Sequence, residues 1–371
     1  MRRVPVTLLE PGMKVGRAVY SADGQMLINA GTVLTSRVIS RLRDFSIVAL
    51  YIDDGLSADI EVSDVIRDET RYKAVNRIHN LMQEATVQRE GVGRTLLIGE
   101  EMANSVLEII DELFESKDLV VNLADIRMLN DYTFFHSVNV CVLAVMTGIT
   151  LQMDRKVLFH LGLGALLHDI GKVLVDPAIL NKPGPLTDEE FNHVKEHTTL
   201  GYKLLRQSKG ISSMASLIAL QHHERWNGQG YPEGLKGDQI HLLAAVTSVC
   251  DTFDALTSDR SYRKAHPIHE AYEFIASSGS DLFESNIVDA FLKNIAAYPS
   301  GTLVLLNTGE VGIVIDTPRG FGRHPNVRIL LGSDGGPTQP YEISLVEKRG
   351  VVVKEVLSEP EIKQLRDMLR Q

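Results

Sequence analysis

Apolar and polar positions change their period along the chain, and the changes divide it. Residues 1–58 hold short β-branched and apolar runs, MKVGRAVY, QMLINAGTVL and IVALYIDD, separated by Gly and Asp turn signals. They predict a small β-rich module with one helix, SRVISRLRDF, opened by its serine at the N-cap. From 59 to 118 the period becomes that of long charged helices, VSDVIRDETRYKAVNRIHNLMQEA and MANSVLEIIDELFESKD. The apolar faces of this pair suit packing on the following domain or a homodimer contact through residues 60–118.

Residues 119–297 read as helix after helix. Segments 131–150, 154–172, 187–207, 211–225, 240–257, 267–278 and 281–297 carry apolar residues at i, i+3 and i+4. At Pro299 the pattern returns to strands. Residues 298–371 contain GTLVLLNTGEVGIVIDT, NVRILLG and YEISLV, with TGE and DGG as hairpin turns and EPEIKQLRDMLRQ as a closing helix. A compact β module is expected there, with a small barrel as its form. The fold class is therefore mainly α: an all-helical core flanked by small β-rich N-terminal and C-terminal modules.

Composition narrows the function. With 371 residues and 44% apolar content the chain can bury a substantial core, and a net charge of −10 argues against wrapping long nucleic acid. A small anionic ligand stays open, because a few local Arg and Lys residues suffice. Cys141 and Cys250 lie in apolar helical stretches and read as buried reduced thiols. The N-terminus meets Pro5 and Glu10 before a signal-peptide core can form, and no run reaches the roughly 18 apolar residues of a spanning helix. The expectation is a cytoplasmic protein without membrane insertion.

Twelve histidines occur, eight of them between residues 136 and 241. His168 and Asp169 end the apolar helix GLGALLHDIGK, where two ionisable groups are costly to bury without a partner. His136 sits within the apolar YTFFHSVNV, Asp251 follows AAVTSVC, and His197 lies between Lys195 and Gly201. His222 and His223 are adjacent. Neighbouring helical residues diverge by about 100°, so both reach one centre only at a helix end, which the GQGYP turn supplies. Five imidazoles and two carboxylates without a thiolate suit two octahedral ions such as Fe, Mn or Ni better than structural zinc. A carboxylate such as Asp169 can bridge two ions about 3.5–4 Å apart, and the pair can activate a water.

The ordered set HSVNV, LGALLHDIGK, KPGPLTDEE, HTTLGYKLL, HHERWNGQGYPEGLKGD and DTFDALTSDRSYRKA resembles the HD-GYP family of HD phosphohydrolases. The resemblance covers roughly residues 119–297. It implies a metal-dependent phosphodiesterase that hydrolyses cyclic di-GMP, a bacterial second messenger, to pGpG and on to GMP by attack of a metal-activated hydroxide. Two divalent ions are implied, Fe or Mn first, with Ni or Zn as alternatives. The first would be held by His136, His168, Asp169 and Asp251, the second by Asp169, His197, His222 and His223. Lys172 becomes a phosphate contact or the proton donor to the leaving oxygen. Gly230, Tyr231 and Pro232 shape the substrate pocket, with Tyr231 either stacking on a guanine or anchoring the turn. Asp254, Arg260 and Arg263 contact guanine and phosphate.

Three positions depart from the family pattern. Tyr132 stands where some members carry a third-metal glutamate, so two metals are expected, while Asn130 and Ser261 replace the more usual Asp and Pro. His193, although four residues before His197, is not the ligand in this match. Two alternatives remain: a cyclic dinucleotide receptor with slow or no turnover, and a phosphodiesterase of a mixed GMP–AMP ring.

Overall fold

The apolar runs at the N-terminus form short strands around one side of a small core. In the computed structural model, residues 1–20, 26–44, 47, 49–53, 59–60, 64–89, 100–116, 120–121, 132–182, 184–258 and 265–369 are described. Strands β1 (Arg2–Pro5), β2 (Lys14–Val15), β3 (Val19–Tyr20) and β4 (Met26–Ile28) precede helix α1 (Ser36–Asp44) and strand β5 (Ala49–Asp53). β5 lies between β1 and β2, antiparallel to both, and β3 pairs with β4. Val4, Val15, Leu34, Leu42, Leu50 and Ile52 fill the space between them. The N-cap of α1 is Thr35 rather than Ser36: the Val38 amide donates to Thr35 Oγ1 at 3.3 Å. A Thr-Ser pair offers two capping hydroxyls, and the sequence does not rank them.

A separate compact unit, Val65–Leu119 with Asp131–Leu292, is helical. Its helices are α2 (Asp68–Arg89), α3 (Glu100–Glu115), α4 (Tyr132–Thr150), α5 (Arg155–Leu166), α6 (Pro177–Leu180), α7 (Asp188–Lys195), α8 (His197–Gln207), α9 (Ser213–Gln221), α10 (Leu242–Thr257), α11 (Ile268–Ser277) and α12 (Ser285–Leu292). The central α4 packs against α5 and α10, and α9 against α5, α8 and α10. Starts are set by side-chain caps. Asp154 accepts from the Lys156 and Val157 amides, and Thr187 with Glu190 forms a reciprocal capping box.

The segment expected as one helix over 187–207 breaks at Glu196 into α7 and α8. There the side chains of His197, Thr198 and Thr199 hydrogen-bond the carbonyls of Val194, Lys195 and Glu196, an alternative to continuous helix that Thr-rich stretches offer.

Two stretches reach membrane-spanning length and apolarity, contrary to the sequence expectation: Thr133–Thr150 within α4, and Arg155–Leu174, which is α5 with the turns that follow it. They are 72% and 67% buried inside this unit, so their apolar surface serves its core. The apolar face of α3, Met102, Val106, Ile109, Ile110 and Leu113, is buried too. The pair α2–α3 thus packs within its own unit, against α4 and α5. Cys141 and Cys250 are free and buried, as expected, and burial pushes the Cys141 thiol up to about 12.

The C-terminal strands β6 (Leu303–Leu306), β7 (Val311–Asp316), β8 (Asn326–Leu331), β9 (Pro337–Ser344) and β10 (Val353–Val356) form one antiparallel sheet in the order β10-β6-β7-β8-β9, followed by helix α13 (Glu359–Leu369). The two predicted hairpins are present, with Gly309 and Gly335 in the left-handed region at φ 90° and 78°. Among the described residues β9 and β10 stay unpaired with each other, so the sheet is open where a barrel was expected. The N-terminal strands and this sheet share one unit. Ile60 is buried with Leu303, Ile313 and Leu365, and Arg328 donates to both oxygens of Asp59 at 2.8 and 2.6 Å. Residues 120–121 and 293–297, expected in the helical domain, fall in this unit.

Among the described glycines of the helical unit, the tightest approach that depends on glycine is at Gly171. A Cβ on Gly171 would lie 1.9 Å from the His197 carbonyl oxygen and 2.6 Å from the Gly201 amide. We expect Gly171→Ala to destabilise the protein by roughly 1–3 kcal/mol or more, because backbone, not a movable side chain, is in the way. Gly279→Ala, whose Cβ would meet nothing nearer than 3.6 Å, should stay within about 0.5 kcal/mol. Urea denaturation of both variants checks the contrast.

Candidate metal centre

Each candidate ligand sits at or near the end of a helix, or on a face turned to the middle of the helical unit. His136 projects from α4 and Asp251 from α10. His168 and Asp169 follow the end of α5 and lead into the 3-10 turn Ile170–Leu174. His197 opens α8, and His222 is the C-cap of α9. The Gly171–Gly201 approach presses that 3-10 turn against α8, which carries Asp169 to His197. All are buried except His223, which is partly exposed.

The donors gather into two groups: His136, His168 and Asp251 in one; Asp169, His197, His222 and His223 in the other. Asp169 faces both. Its Oδ2 lies 3.3 Å from His168 Nε2 and 3.8 Å from His136 Nε2, while Oδ1 lies 3.4 Å from His197 Nε2 and 3.9 Å from His222 Nε2. His136 Nε2 is 3.1 Å from Asp251 Oδ1, and His197 and His222 bring their Nε2 atoms to 3.4 Å. Ligand bonds of about 2.0–2.2 Å put neighbouring donors about 3–4 Å apart, so these separations match the edges of coordination polyhedra. His168 Nε2 and Asp169 Oδ1 are buried without a hydrogen-bond partner. Orphaned donors of this kind in a sealed pocket call for a cation.

The imidazoles are aimed by their other nitrogens. His168 Nδ1–H donates to Ala165 O at 2.7 Å, His197 Nδ1–H to Val194 O at 2.6 Å, and His222 Nδ1–H to Ala219 O at 3.0 Å. These carbonyls belong to helix ends, where the last turn leaves acceptors unused. Each bond fixes the tautomer that leaves an Nε2 lone pair for an ion. Burial drives His197 down to about 4 and His222 to about 3, so both are neutral. Burial alone would raise the Asp169 and Asp251 carboxyls; instead Lys172 and His168 hold Asp169, and His136 and His223 hold Asp251, well below the usual range. His136 is the exception. Burial lowers it, but its bonds to Asp251 and Asp254 prevail and raise it to about 9. Neutral imidazoles beside ionised carboxylates are the ligating forms.

The remaining candidates take different places. Lys172 Nζ lies 2.5 Å from Asp169 Oδ2 and is one-third exposed, so it borders the centre. The Tyr231 ring stacks on His223 with centroids 4.6 Å apart, and Lys195 Nζ lies 5.5 Å from that ring. Gly230 has no room for a side chain, since its Cβ would meet Glu224 Cα at 2.4 Å. Asp254, expected at the substrate, is fully buried behind His136: its Oδ2 accepts from His136 Nδ1 at 2.7 Å and its Oδ1 from Asn139 Nδ2 at 3.0 Å. Arg260, Arg263, Asn130 and Ser261 lie outside the described residues, as does the side chain of Tyr132. His193 is 62% exposed and points away to Glu196 at 3.7 Å.

Sequence reading missed the residues that hold the ligands. Asn139 was signalled only by being a polar residue three places after His136 on an apolar helix. Glu224, directly after the histidine pair, is 1% exposed and accepts from the Glu233 and Leu235 amides at 2.8 and 2.9 Å. It ties down the Gly-Tyr-Pro loop. Glu224→Ala should therefore cost about 2–3 kcal/mol of stability, the worth of charge-assisted bonds to amides, and expose that loop to protease. Melting curves with limited proteolysis of the 226–239 segment test it; an unchanged cleavage rate would show that the loop stands without this carboxylate.

A family model described as "HD domain" matches residues 110–287, and one described as "KOW domain associated with HD domain" matches residues 303–365. The chain is 30% identical to a cyclic di-GMP phosphodiesterase of Pseudomonas aeruginosa over 97% of this chain and 92% of that protein. It is 32% identical to a cyclic di-GMP phosphodiesterase of Thermotoga maritima over 69% of this chain and 70% of that one. Among solved structures, an HDG"Y"P protein from Bdellovibrio bacteriovorus aligns with a TM-score of 0.50 at 19% identity, covering 78% of this chain and 97% of that one.

Proposed function

The chain belongs to the HD-GYP family of HD domain proteins, and on that premise we propose that it hydrolyses cyclic di-GMP to pGpG and on to GMP. The observation that carries the reading is Asp169, a buried carboxylate with one oxygen turned to each of two donor groups. His136, His168 and Asp251 would hold one divalent ion, His197, His222 and His223 the other, with Asp169 shared. The nitrogen and oxygen donors suit Fe or Mn, with Ni or Zn as alternatives. When bound, such a pair supplies a water ionised near neutral pH and neutralises charge at phosphoryl oxygens.

The protein's own side chains do the rest. Lys172 stands at the rim with its ammonium on Asp169, where it can face a phosphoryl oxygen. As the P–O3′ bond breaks, Lys172 Nζ gives a proton to the departing 3′-oxygen. The Tyr231 ring, already stacked on His223, fixes the pocket wall and offers an aromatic face to a base. Arg260 and Arg263 follow α10 in the chain and are the fork-shaped cations for the substrate phosphates. A complete donor set favours turnover over a receptor role, since binding alone does not need one. The protein is read as cytoplasmic.

Elemental analysis of anaerobically purified protein should return two divalent ions per chain, and chromatography of a cyclic di-GMP digest should show pGpG and then GMP. Three fully occupied sites would overturn the two-ion reading. Asp169→Ala should lose hydrolysis and metal from both groups while keeping its helical circular dichroism. His193→Ala, on an exposed side chain, should change neither.

A further inference from the structure

Behind His136 runs a buried line of hydrogen bonds that the chemistry above does not use. Arg71, in the first turn of α2, donates from Nη1 to Asn139 Oδ1 at 2.5 Å. Asn139 donates from Nδ2 to Asp254 Oδ1 at 3.0 Å, and Asp254 Oδ2 accepts from His136 Nδ1 at 2.7 Å. The exposures are 6% for Arg71, 3% for Asn139, 0% for Asp254 and 3% for His136. Four polar side chains on three helices are thus shut away from water in one row.

The row has a fixed direction. A guanidinium only donates, so the Asn139 atom facing Arg71 must be its carbonyl oxygen, which turns its amide group to Asp254. An ionised carboxylate only accepts, so Asp254 takes a hydrogen from Asn139 at Oδ1 and one from His136 Nδ1 at Oδ2, where the Ser258 hydroxyl also donates at 3.3 Å. With its Nδ1 hydrogen committed to Asp254, His136 turns Nε2 toward Asp251 and Asp169, 3.1 and 3.8 Å away, and Nε2 is the nitrogen that an ion would take in place of a proton. Each member sets the polarity of the next, and Arg71 sets the first. Arg71 is itself held in place, because α2 is anchored to α3: Glu112 accepts from the Arg67 amide at 2.7 Å and from Thr70 Oγ1 at 2.6 Å.

We propose that Arg71 and Asn139 are positioning residues for the metal centre, fixing through Asp254 the His136 tautomer that ligates and so setting the affinity of the His136/His168/Asp251 group alone. The inference rests on the metal-dependent reading above. Among the described residues no such line reaches the other group, whose His197 and His222 are oriented by backbone carbonyls of Val194, Ile218 and Ala219. Outer partners of metal-bound histidines change affinity by about 10–100-fold when replaced. The sensitive substitution is Asn139→Asp, nearly the same shape, which keeps an acceptor for Arg71 but removes the donor to Asp254.

The test is Mn(II) titration of metal-free protein, reading free Mn by electron paramagnetic resonance. A His222→Ala background isolates the His136 group, and a His168→Ala background isolates the other. Asn139→Asp and Arg71→Leu should weaken binding at least 10-fold in the first background and less than twofold in the second. Arg71→Lys, which keeps one donor, should recover part of the loss. Equal loss in both backgrounds, with a lowered melting temperature of the metal-free protein, would mean a general structural role and overturn the proposal; so would unchanged affinity in the first background. Should Asn139→Asp fail to fold, Arg71→Leu against Arg71→Lys carries the same comparison. Absence of Mn binding by the unsubstituted protein would instead sink the metal-dependent reading itself.

Discussion

A carboxylate sealed from water carries a desolvation cost of several kcal/mol unless opposite charge and hydrogen bonds surround it. Asp169 is 1% exposed, one of its oxygens lacks a hydrogen-bond donor, and four imidazole nitrogens and one ammonium converge on it. The helical unit is arranged to meet that one demand. α4 brings His136, the end of α5 brings His168, the start of α8 brings His197 and the end of α9 brings His222. Moving any one of these helices by a turn would take from the carboxylate the imidazole which that helix supplies.

The same arrangement shows why the site depends on helix ends. A helix leaves its last carbonyls without partners, and buried helix ends must satisfy them. His168, His197 and His222 do so with Nδ1–H, and in doing so turn Nε2 toward the centre. Satisfying the backbone and orienting the ligand are one interaction. His136 sits in the second turn of α4, far from the free carbonyls of the helix C-terminus, and there a carboxylate, Asp254, takes over the task. This is why His136 needs a side-chain support that His168, His197 and His222 do without.

The β-rich unit stands apart in its physics. Its strands are short and its cores small, and residues from both chain ends fill a shared apolar cluster around Ile60 and Leu303. Its C-terminal sheet corresponds to the "KOW domain associated with HD domain" match, so the two family matches fall on regions of different texture.

Much of this was legible in the sequence because it rests on period and chemistry. Apolar residues at helical spacing announced α4, α5, α9 and α10, and the ionisable His136, His168, Asp169 and Asp251 inside or at the end of such runs announced a need for a cation or partner, whereas His197, His222 and His223 entered the donor set through the family resemblance. The Gly-rich turns announced the β6–β7 and β8–β9 hairpins. Local hydrogen-bond competition was harder to see: the break at Glu196 arises from three consecutive side chains taking backbone carbonyls, and the Thr35 cap from a choice between two hydroxyls. The roles of Asp254, Asn139, Arg71 and Glu224 belong to tertiary structure. Arg71 and Asn139 are 68 residues apart, Asn139 and Asp254 115, and only the packing of α2, α4 and α10 makes them neighbours. Periodicity tells which face of a helix is buried, but which polar group meets which inside that face is fixed by how the helices cross.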